Sequence, residues 1–223
     1  MCRAVLMADA ALSPQYPGEA IVVMDGFISE QECRQLLDEL EYVFWKPSLT
    51  YERQVDDTYR NVLADTRVSE TAHQDFFSDE VAELLAAIEA RLTAYLGVDP
   101  AHLEWWQATR YPIGGRFDYH LDSGYWDDHY AGDRVRTFLV YLTTPLTGGG
   151  THFRALDVLV EARERRLVAW ENLFPDGTAN HSMIHSGTPL GDGEKTTLVT
   201  WERERRFRPE AAMPMASKEV LHP

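Results

Sequence analysis

Two residue types that bind metal ions lie two positions apart in the segment FDYHLDSGY, residues 117–125. If this segment is a β-strand, His120 and Asp122 project from the same face, because alternate strand residues do so. An imidazole and a carboxylate placed in this way can bind one metal ion together. The spacing alone leaves a second interpretation open, in which the pair is only a structural hydrogen bond or lies in a surface loop.

A distant histidine and a lysine make the metal interpretation more specific. His185 lies in HSMIHSG just before a Ser-Gly turn, and Lys195 follows ten residues later. Two histidines and one carboxylate form the facial triad typical of non-heme Fe(II) sites, which leaves coordination positions free. His181 competes with His185 for the third ligand position, because it lies only four residues earlier.

Composition and charge exclude several classes of protein. The 223 residues are 44% hydrophobic and 26% charged, which predicts one globular domain with a full core. The formal charge of −15 argues against a nucleic-acid partner, since phosphate binding needs a basic face. Only two cysteines occur, and the first residues, MCRAVLMADAALS, do not form a signal peptide. We expect a cytoplasmic protein with no membrane partner, whose oligomeric state the sequence does not indicate.

Two amphipathic helices are predicted in the first half of the chain. Ser29 and Glu32 form a capping box that starts the first helix, whose apolar face carries Cys33, Leu36, Leu37 and Leu40. The second is predicted over residues 78–96 and ends at Gly97, with an apolar face made of Val81, Leu84, Leu85, Ile88 and Leu92. The polar stretch 47–71 between them gives no clear pattern, and within it QVDDTYRNVLADTR, residues 54–67, is expected to be a loop at a substrate mouth.

From residue 103 onward, short β-type segments separated by Gly, Pro and Asp predict strands of a sandwich or barrel. We therefore expect a mostly β fold with flanking α-helices and a double-stranded β-helix core, jelly-roll and cupin-like. The predicted organisation is a flexible arm (1–18), a single domain (19–208) and a flexible tail (209–223). Within the domain, residues 29–97 supply helical support and residues 103–208 form the core. Two sets of alternating residues are expected to face its interior: Thr137, Leu139 and Tyr141, and Lys195, Thr197, Val199 and Trp201.

The second half of the chain resembles the Fe(II)/2-oxoglutarate-dependent dioxygenases, specifically their prolyl 4-hydroxylase-like branch. The matching segments are WQATRYPIGGRFDYHLD, RVRTFLVYLTT, GGGTHF, AWEN and HSGTPLGDGEKTTLVTW. The resemblance extends backwards through VVMDGFISEQEC, so it covers roughly residues 20–205.

The resemblance implies a role for each matching residue. His120, Asp122 and His185 match the iron ligands, and Lys195 matches the residue that pairs with the distal carboxylate of 2-oxoglutarate. The other positions that match the co-substrate pocket are Tyr111, Tyr141, Thr151 and Trp201. The implied cofactor is Fe(II), with 2-oxoglutarate and O2 as co-substrates.

On the substrate side, the resemblance matches Arg134 to a substrate-binding arginine, although a plain surface salt bridge is the competing interpretation. The segment GYWDDHY, residues 124–130, follows HxD directly and would place Tyr125 and Trp126 over the site as an aromatic lid, or form only a packed turn. His129 and His152 are further candidates for substrate contact, since both flank mouth loops. The remaining histidines, His73, His102 and His222, are expected at the surface or behind the site.

The expected reaction is hydroxylation of an unactivated C–H bond. Halogenases of this superfamily carry a small residue at the carboxylate position, so Asp122 favours hydroxylation. The substrate is either a prolyl or peptidyl residue, or an amino-acid-like small metabolite. The competing interpretations are a cupin-type isomerase or metal-binding protein without 2-oxoglutarate, which Lys195 argues against, and an inactive binding module.

Overall fold

Most of the chain is β-structure in the computed structural model, which describes residues 5–7, 21–53, 59–126 and 128–209. The two α-helices in these ranges are α1 (Glu30–Leu40) and α2 (Asp79–Leu96). Short 3-10 helices lie at Gln74–Phe76, Pro100–His102 and His181–Met183. The strands are β1 (Val5–Met7), β2 (Ile21–Met24), β3 (Lys46–Pro47), β4 (Thr50–Arg53), β5 (Tyr59–Val62), β6 (Glu70–His73), β7 (Gln107–Tyr111), β8 (Phe117–His120), β9 (Arg134–Tyr141), β10 (Thr147–Gly148), β11 (Thr151–Phe153), β12 (Val158–Val160), β13 (Leu167–Glu171), β14 (His185–Gly187), β15 (Leu190–Asp192) and β16 (Lys195–Arg203).

Two sheets carry the fold. The large sheet has the strand order β1-β2-β13-β9-β16-β7-β6-β3, and the small sheet has the order β12-β11-β14-β8. Two-stranded ladders, β10 with β15 and β4 with β5, complete the described strands. The prediction of a mostly β jelly-roll with flanking helices is confirmed.

Residue alternation in the large sheet separates two buried layers. On β9, Phe138 and Val140 pack into the cluster that also contains Leu36 of α1 and Ile88 of α2. Tyr141 points to the opposite face of β9 and packs into a second cluster of residues from both sheets. Its other buried members are Ile21, Val23, Phe153, Val160, Ala162, Val168, Trp170 and Met183. One face of the large sheet therefore supports the helices, and the other faces the interior between the sheets.

Both predicted helices form, and their ends follow from local chemistry. Ser29 caps α1, and its side chain accepts a hydrogen bond from the Glu32 backbone while the Glu32 carboxylate accepts one from Ser29 N–H. Ser78 caps α2, which ends at Gly97 in the left-handed conformation. No helix in the described ranges is both long enough and apolar enough to cross a membrane.

We expect Ser29→Ala to lower the free energy of unfolding by about 1 kcal/mol, because the first turn of α1 loses a side-chain acceptor. Ser29→Gly should cost only a few tenths of a kcal/mol, since glycine is itself tolerated at a helix N-terminus. Urea denaturation of the two variants and the wild type measures both effects. No loss of stability in Ser29→Ala would mean that the hydroxyl is not the stabilising group.

The loop predicted over residues 54–67 is wrong at residues 59–62, which form β5, and residues 54–58 lie outside the described residues. The wider polar stretch 47–71 also contains the end of β3, the start of β6, and β4, which pairs with β5 as a hairpin. The hairpin gives no alternating hydrophobic signal because it has little buried face; instead the rings of Tyr51 and Tyr59 stack, with centroids 5.4 Å apart.

The predicted boundary between helical support and β-core also differs from the structure. Strands β3 and β6, which lie within residues 29–97, are members of the large sheet. The flexible arm predicted over residues 1–18 includes β1, which instead pairs in parallel with β2. The rest of that arm, residues 1–4 and 8–18, lies outside the described residues, as do residues 210–223 of the predicted tail.

Candidate active site

Three side chains that can bind a metal ion converge between the two sheets. Ligand atoms of His120, Asp122 and His185 all lie within 4.8 Å of one another. His120 ends β8, and His185, which opens β14 and does not precede a turn, is its register partner across the small sheet. His120 and Asp122 were expected on one strand, but Asp122 lies in a bend beyond the end of β8. The set is that of a facial triad.

Both histidines are oriented by backbone carbonyls. His120 Nδ1 lies 2.8 Å from Asp118 O, and His185 Nδ1 lies 2.9 Å from Met183 O. If Nδ1 carries the proton and donates to these carbonyls, each Nε2 keeps a free lone pair. The two Nε2 atoms lie 3.7 Å and 3.8 Å from the Asp122 carboxylate oxygens. The lone pairs and the carboxylate therefore point toward a common centre, which is the arrangement that a metal ion needs.

A buried hydrogen-bond chain holds the carboxylate. Thr137 Oγ1 donates to Asp122 Oδ2 at 2.6 Å, and Asn172 Nδ2 donates to Thr137 Oγ1 at 2.8 Å. The Ser123 hydroxyl donates to Asn172 O at 2.9 Å. Thr137 leaves one oxygen of Asp122 oriented toward the histidines, and such supporting contacts tune metal affinity.

The electrostatic balance favours the charge states that metal binding needs. Burial alone would raise the pKa of Asp122, but His185, His120, Arg134 and the Thr137 hydroxyl outweigh it, so the pKa lies below its ordinary value. Burial and the neighbouring His185 lower the pKa of His120 well below its usual range. Near neutral pH the carboxylate is ionised and this imidazole is neutral, so both are ready to act as ligands.

Lys195 is a buried cation with no anionic partner among the described residues. It opens β16, is 3% exposed, and its ammonium lies 4.1 Å from the centre of the Tyr111 ring. Burial lowers its pKa to about 7. Added Cβ atoms on Gly149 and Gly187 would each come within 3.2 Å of the Lys195 side chain, so these glycines leave space around it. A buried ammonium without an anionic partner among the described residues suits a carboxylate ligand.

The other residues expected in the co-substrate pocket come together only in part. Thr151 is the register partner of Gly187, and its hydroxyl lies 2.6 Å from the Tyr141 hydroxyl. Tyr111 and Lys195 are likewise register partners. Trp201 lies six residues farther along β16, paired with Thr137 and therefore on the metal side.

A cavity of about 720 Å³ opens onto this centre. Its lining includes His120 and Asp122, and aromatic side chains form much of the rest: Tyr51, Tyr59, Phe117, Tyr119, Tyr125, Trp126, Trp201 and Phe207. Together with the metal-binding set it forms a concave site with a few polar groups at the centre, as is usual for substrate pockets.

Aromatic side chains of the segment 124–130 contact the β4–β5 hairpin at the edge of the cavity. Trp126 stacks on Tyr51 of the β4–β5 hairpin with ring centroids 4.5 Å apart, and Tyr125 contacts Tyr59 at 5.6 Å. The rest of the segment, of which Asp127 lies outside the described residues, is attached to the body of the domain through Tyr130, whose hydroxyl donates to Phe207 O. The aromatic residues therefore bridge the cavity opening between two loops.

Arg134 lies in the cavity wall, but its guanidinium is already paired. Nε and Nη2 donate to the two carboxylate oxygens of Glu104 at 2.6 Å and 2.9 Å. The guanidinium also lies 3.7 Å from the centre of the Trp201 ring. The pairing agrees with the salt-bridge interpretation, here in a buried setting.

The structure separates the competing histidines. His181 is exposed on its 3-10 helix and is not part of the metal-binding set. His73 and His129 line the cavity, whereas His152 contacts the Tyr119 hydroxyl at 2.5 Å. His102 lies 3.1 Å from Arg203 O, and His222 is outside the described residues.

Four residues with evident roles were not assigned any by sequence reasoning: Thr137 and Asn172 behind the carboxylate, Glu104 beside Arg134, and Arg67 in the cavity wall. The only available signal was the position of Asn172 in AWEN, after a predicted strand. Their partners are distant in sequence, so spacing does not reveal them.

Family comparisons agree with this geometry. Residues 106–203 match the model of the 2OG-Fe(II) oxygenase superfamily, and residues 21–153 match the model of phytanoyl-CoA dioxygenase. The second match covers more than half of the chain. The chain belongs to the 2-oxoglutarate- and Fe(II)-dependent oxygenase superfamily, in which it is prolyl 4-hydroxylase-like. At the level of this family, the prediction of Fe(II), 2-oxoglutarate and O2 is confirmed.

Curated relatives are prolyl 4-hydroxylases. The chain is 30% identical over 160 residues to prolyl 4-hydroxylase subunit alpha-1 from Gallus gallus, covering 68% of this chain and 30% of the relative. It is 24% identical over 204 residues to prolyl 4-hydroxylase 13 from Arabidopsis thaliana, covering 84% and 72%. The chain spans 30% to 38% of the length of the first curated relatives that it matches.

Solved structures show the same fold. A viral collagen prolyl hydroxylase from Paramecium Bursaria Chlorella virus-1, in complex with 2-oxoglutarate, aligns with a TM-score of 0.60 and 22% identity, covering 82% of this chain and 95% of that one. A Pseudomonas putida prolyl-4-hydroxylase aligns with a TM-score of 0.54 and 21% identity, covering 85% and 94%.

Proposed function

We propose that the protein is an Fe(II)- and 2-oxoglutarate-dependent dioxygenase that hydroxylates prolyl residues of a peptide or protein. The observation that carries this proposal is the pairing of two sites: a His-Asp-His set and, nearby, the buried ammonium of Lys195 with no anionic partner among the described residues. A metal-binding barrel that does not use 2-oxoglutarate has no need for such a lysine.

Each part of the chemistry has an assigned group in the chain. His120, Asp122 and His185 would hold Fe(II), and Thr137 would fix the carboxylate. Lys195 would bind the distal carboxylate of 2-oxoglutarate, with Tyr111, Tyr141 and Thr151 around it. When bound, the iron and its co-substrates supply the oxidation that yields succinate, carbon dioxide and a hydroxylated product. The chain positions the substrate C–H bond and excludes competing reactions.

The lining of the cavity favours a peptide over a small metabolite. Aromatic side chains form much of its wall, and aromatic rings offer broad contact area to a chain of several residues. The volume of the cavity also accommodates several residues of an extended chain.

The direct test is incubation with Fe(II), 2-oxoglutarate, O2 and prolyl peptides. Mass spectrometry should detect the gain of one oxygen atom, together with an equal amount of succinate, only when 2-oxoglutarate is present. Free L-proline serves as the alternative small substrate. Turnover of L-proline with none of any peptide would refute the peptide part of the proposal.

Trp126→Ala should raise the KM for a peptide substrate about 2- to 10-fold, because an aromatic stack contributes about 0.5–1.5 kcal/mol. Binding of Fe(II) and of 2-oxoglutarate should stay unchanged, since neither involves the mouth. Tyr95→Ala, at an exposed aromatic residue on α2, is the matched control and should have no effect. Simultaneous loss of 2-oxoglutarate binding in Trp126→Ala would show that the segment is structural.

The compartment is also a proposal. We propose that the protein works in the cytoplasm, which the low cysteine content and the free buried thiol of Cys33 support. Cell fractionation with an antibody against the protein tests this, and recovery in a secreted fraction would contradict it.

A further inference from the structure

The cavity lining contains one half-buried cation that is paired with no carboxylate among the described residues. Its cationic lining residues are Lys46, Arg67, Arg134 and Arg203. Lys46 is exposed, and both Arg134 and Arg203 are paired with Glu104, each with a nitrogen 2.6 Å from its Oε1. Arg67 is the cation without such a partner.

The contacts of Arg67 orient its guanidinium, but none of them is with a carboxylate. Nη1 donates to Leu49 O at 3.0 Å, and Nε donates to Ser69 Oγ at 3.3 Å. The guanidinium lies 4.6 Å from the centre of the Phe117 ring, which in turn stacks on His120 at 3.6 Å. The Arg67 guanidinium, the Phe117 ring and the His120 ring are therefore stacked in that order, and His120 belongs to the metal-binding set.

The carboxylates of the cavity are committed elsewhere. Asp118 is paired with Arg116 at 2.9 Å, Glu104 is shared by two arginines, and Asp122 belongs to the metal-binding set. Asp133, next to Arg134, accepts hydrogen bonds from the backbone of Gly124 and of Arg134. Bound Fe(II) would also occupy the Asp122 carboxylate, so Arg67 would have no carboxylate partner among the described residues.

We propose that Arg67 binds a carboxylate of the substrate, which makes acidic prolyl peptides the preferred substrates. This inference rests on the proposed function. A planar guanidinium binds a carboxylate through two parallel hydrogen bonds, and an unpaired buried charge is costly. The stacked rings of Phe117 and His120 lie between Arg67 and the rest of the metal-binding set. A substrate carboxylate bound to Arg67 therefore places a neighbouring proline close to the metal-binding residues.

The carboxylate has two possible sources with the same chemistry: an Asp or Glu side chain near the proline, or a free α-carboxylate at a chain end. A library of N-acetylated, C-amidated pentapeptides with a central proline and varied flanking residues tests the first source. A second set, ending one residue after proline with a free or an amidated terminus, tests the second source. Mass spectrometry reads hydroxylation of each member.

For the wild type we expect hydroxylation of peptides with Asp or Glu at one flanking position to exceed that of the Asn or Gln counterparts by about tenfold or more in kcat/KM. Alternatively, the same ratio appears between free and amidated termini, which identifies the α-carboxylate as the source. In Arg67→Gln the ratio should fall to about one, whereas Arg67→Lys should keep part of it because the charge remains.

Arg110→Gln is the matched control, since Arg110 is exposed and paired with Glu70 at 2.7 Å, and it should keep the wild-type ratio. Unchanged 2-oxoglutarate binding shows that each variant is folded. Hydroxylation without any preference for a carboxylate would overturn the role of Arg67 and leave the proposed function standing. Hydroxylation of no peptide would remove both.

Discussion

Asp122→Ala should bind Fe(II) about 100-fold more weakly or worse and should lose hydroxylation, because the alanine removes the only anionic ligand of the three. The two histidines remain but do not supply the charge that a divalent cation needs. Anaerobic titration of the purified variant with Fe(II) measures affinity and stoichiometry, and the wild type should bind one ion per chain. His185→Ala should show a comparable loss, since it also leaves two ligands.

His181→Ala is the matched control for this prediction. His181 lies four residues before His185 but is exposed and outside the metal-binding set, so this variant should bind iron normally. The ligand assignment is wrong if Asp122→Ala keeps full activity, or if His181→Ala alone loses iron.

Lys195→Ala should weaken 2-oxoglutarate binding by about 10- to 150-fold, which corresponds to the roughly 1.5–3 kcal/mol of a charged hydrogen bond. Fe(II) binding should stay close to normal, because Lys195 is not in the metal-binding set. Titration of 2-oxoglutarate into the Fe(II)-loaded protein without oxygen, followed by the metal-to-ligand absorption band, gives both affinities.

The same lysine predicts a pH dependence. In the free protein the pKa of Lys195 is about 7, so above pH 7 the amine is mostly neutral and must gain a proton to pair with a carboxylate. The affinity for 2-oxoglutarate should therefore be constant below pH 7 and fall as the pH rises above it, by up to about tenfold per pH unit.

Two variants serve as controls for Lys195. Lys195→Arg should recover part of the affinity and lose the dependence above pH 7, since a guanidinium stays protonated. Lys46→Ala, at an exposed lysine of the cavity rim, should behave as the wild type. Equal affinity in the wild type and Lys195→Ala would remove the main support for a 2-oxoglutarate enzyme.

The sequence predicts the parts of the site that follow strand periodicity and motif spacing. His120, Asp122 and His185 converge as expected, and Lys195 faces the interior because β16 alternates regularly. The helices were also predictable, since capping residues and apolar periodicity are local signals.

Features that depend on contacts between distant segments were not predictable. The β4–β5 hairpin is stabilised by stacking of Tyr51 on Trp126, which lies in a loop far along the chain. Thr137 of β9 and Asn172, just after the end of β13, support Asp122 from distant parts of the chain. The lack of a carboxylate partner for Arg67 depends on which arginines pair with the nearby carboxylates, and these pairs form only when the sheets assemble.

The strand order of the large sheet has a consequence for how the chain folds. Ile21 of β2 pairs with Trp170 of β13, so nearly the whole domain separates the two strands. Such pairing gives a high contact order, because a long loop must close before burial repays its entropy. Folding should therefore be slow and cooperative, and in a nascent chain β2, which is synthesised first, would expose its pairing edge until β13 emerges. The transient vulnerability of this protein is that open edge rather than its catalytic centre.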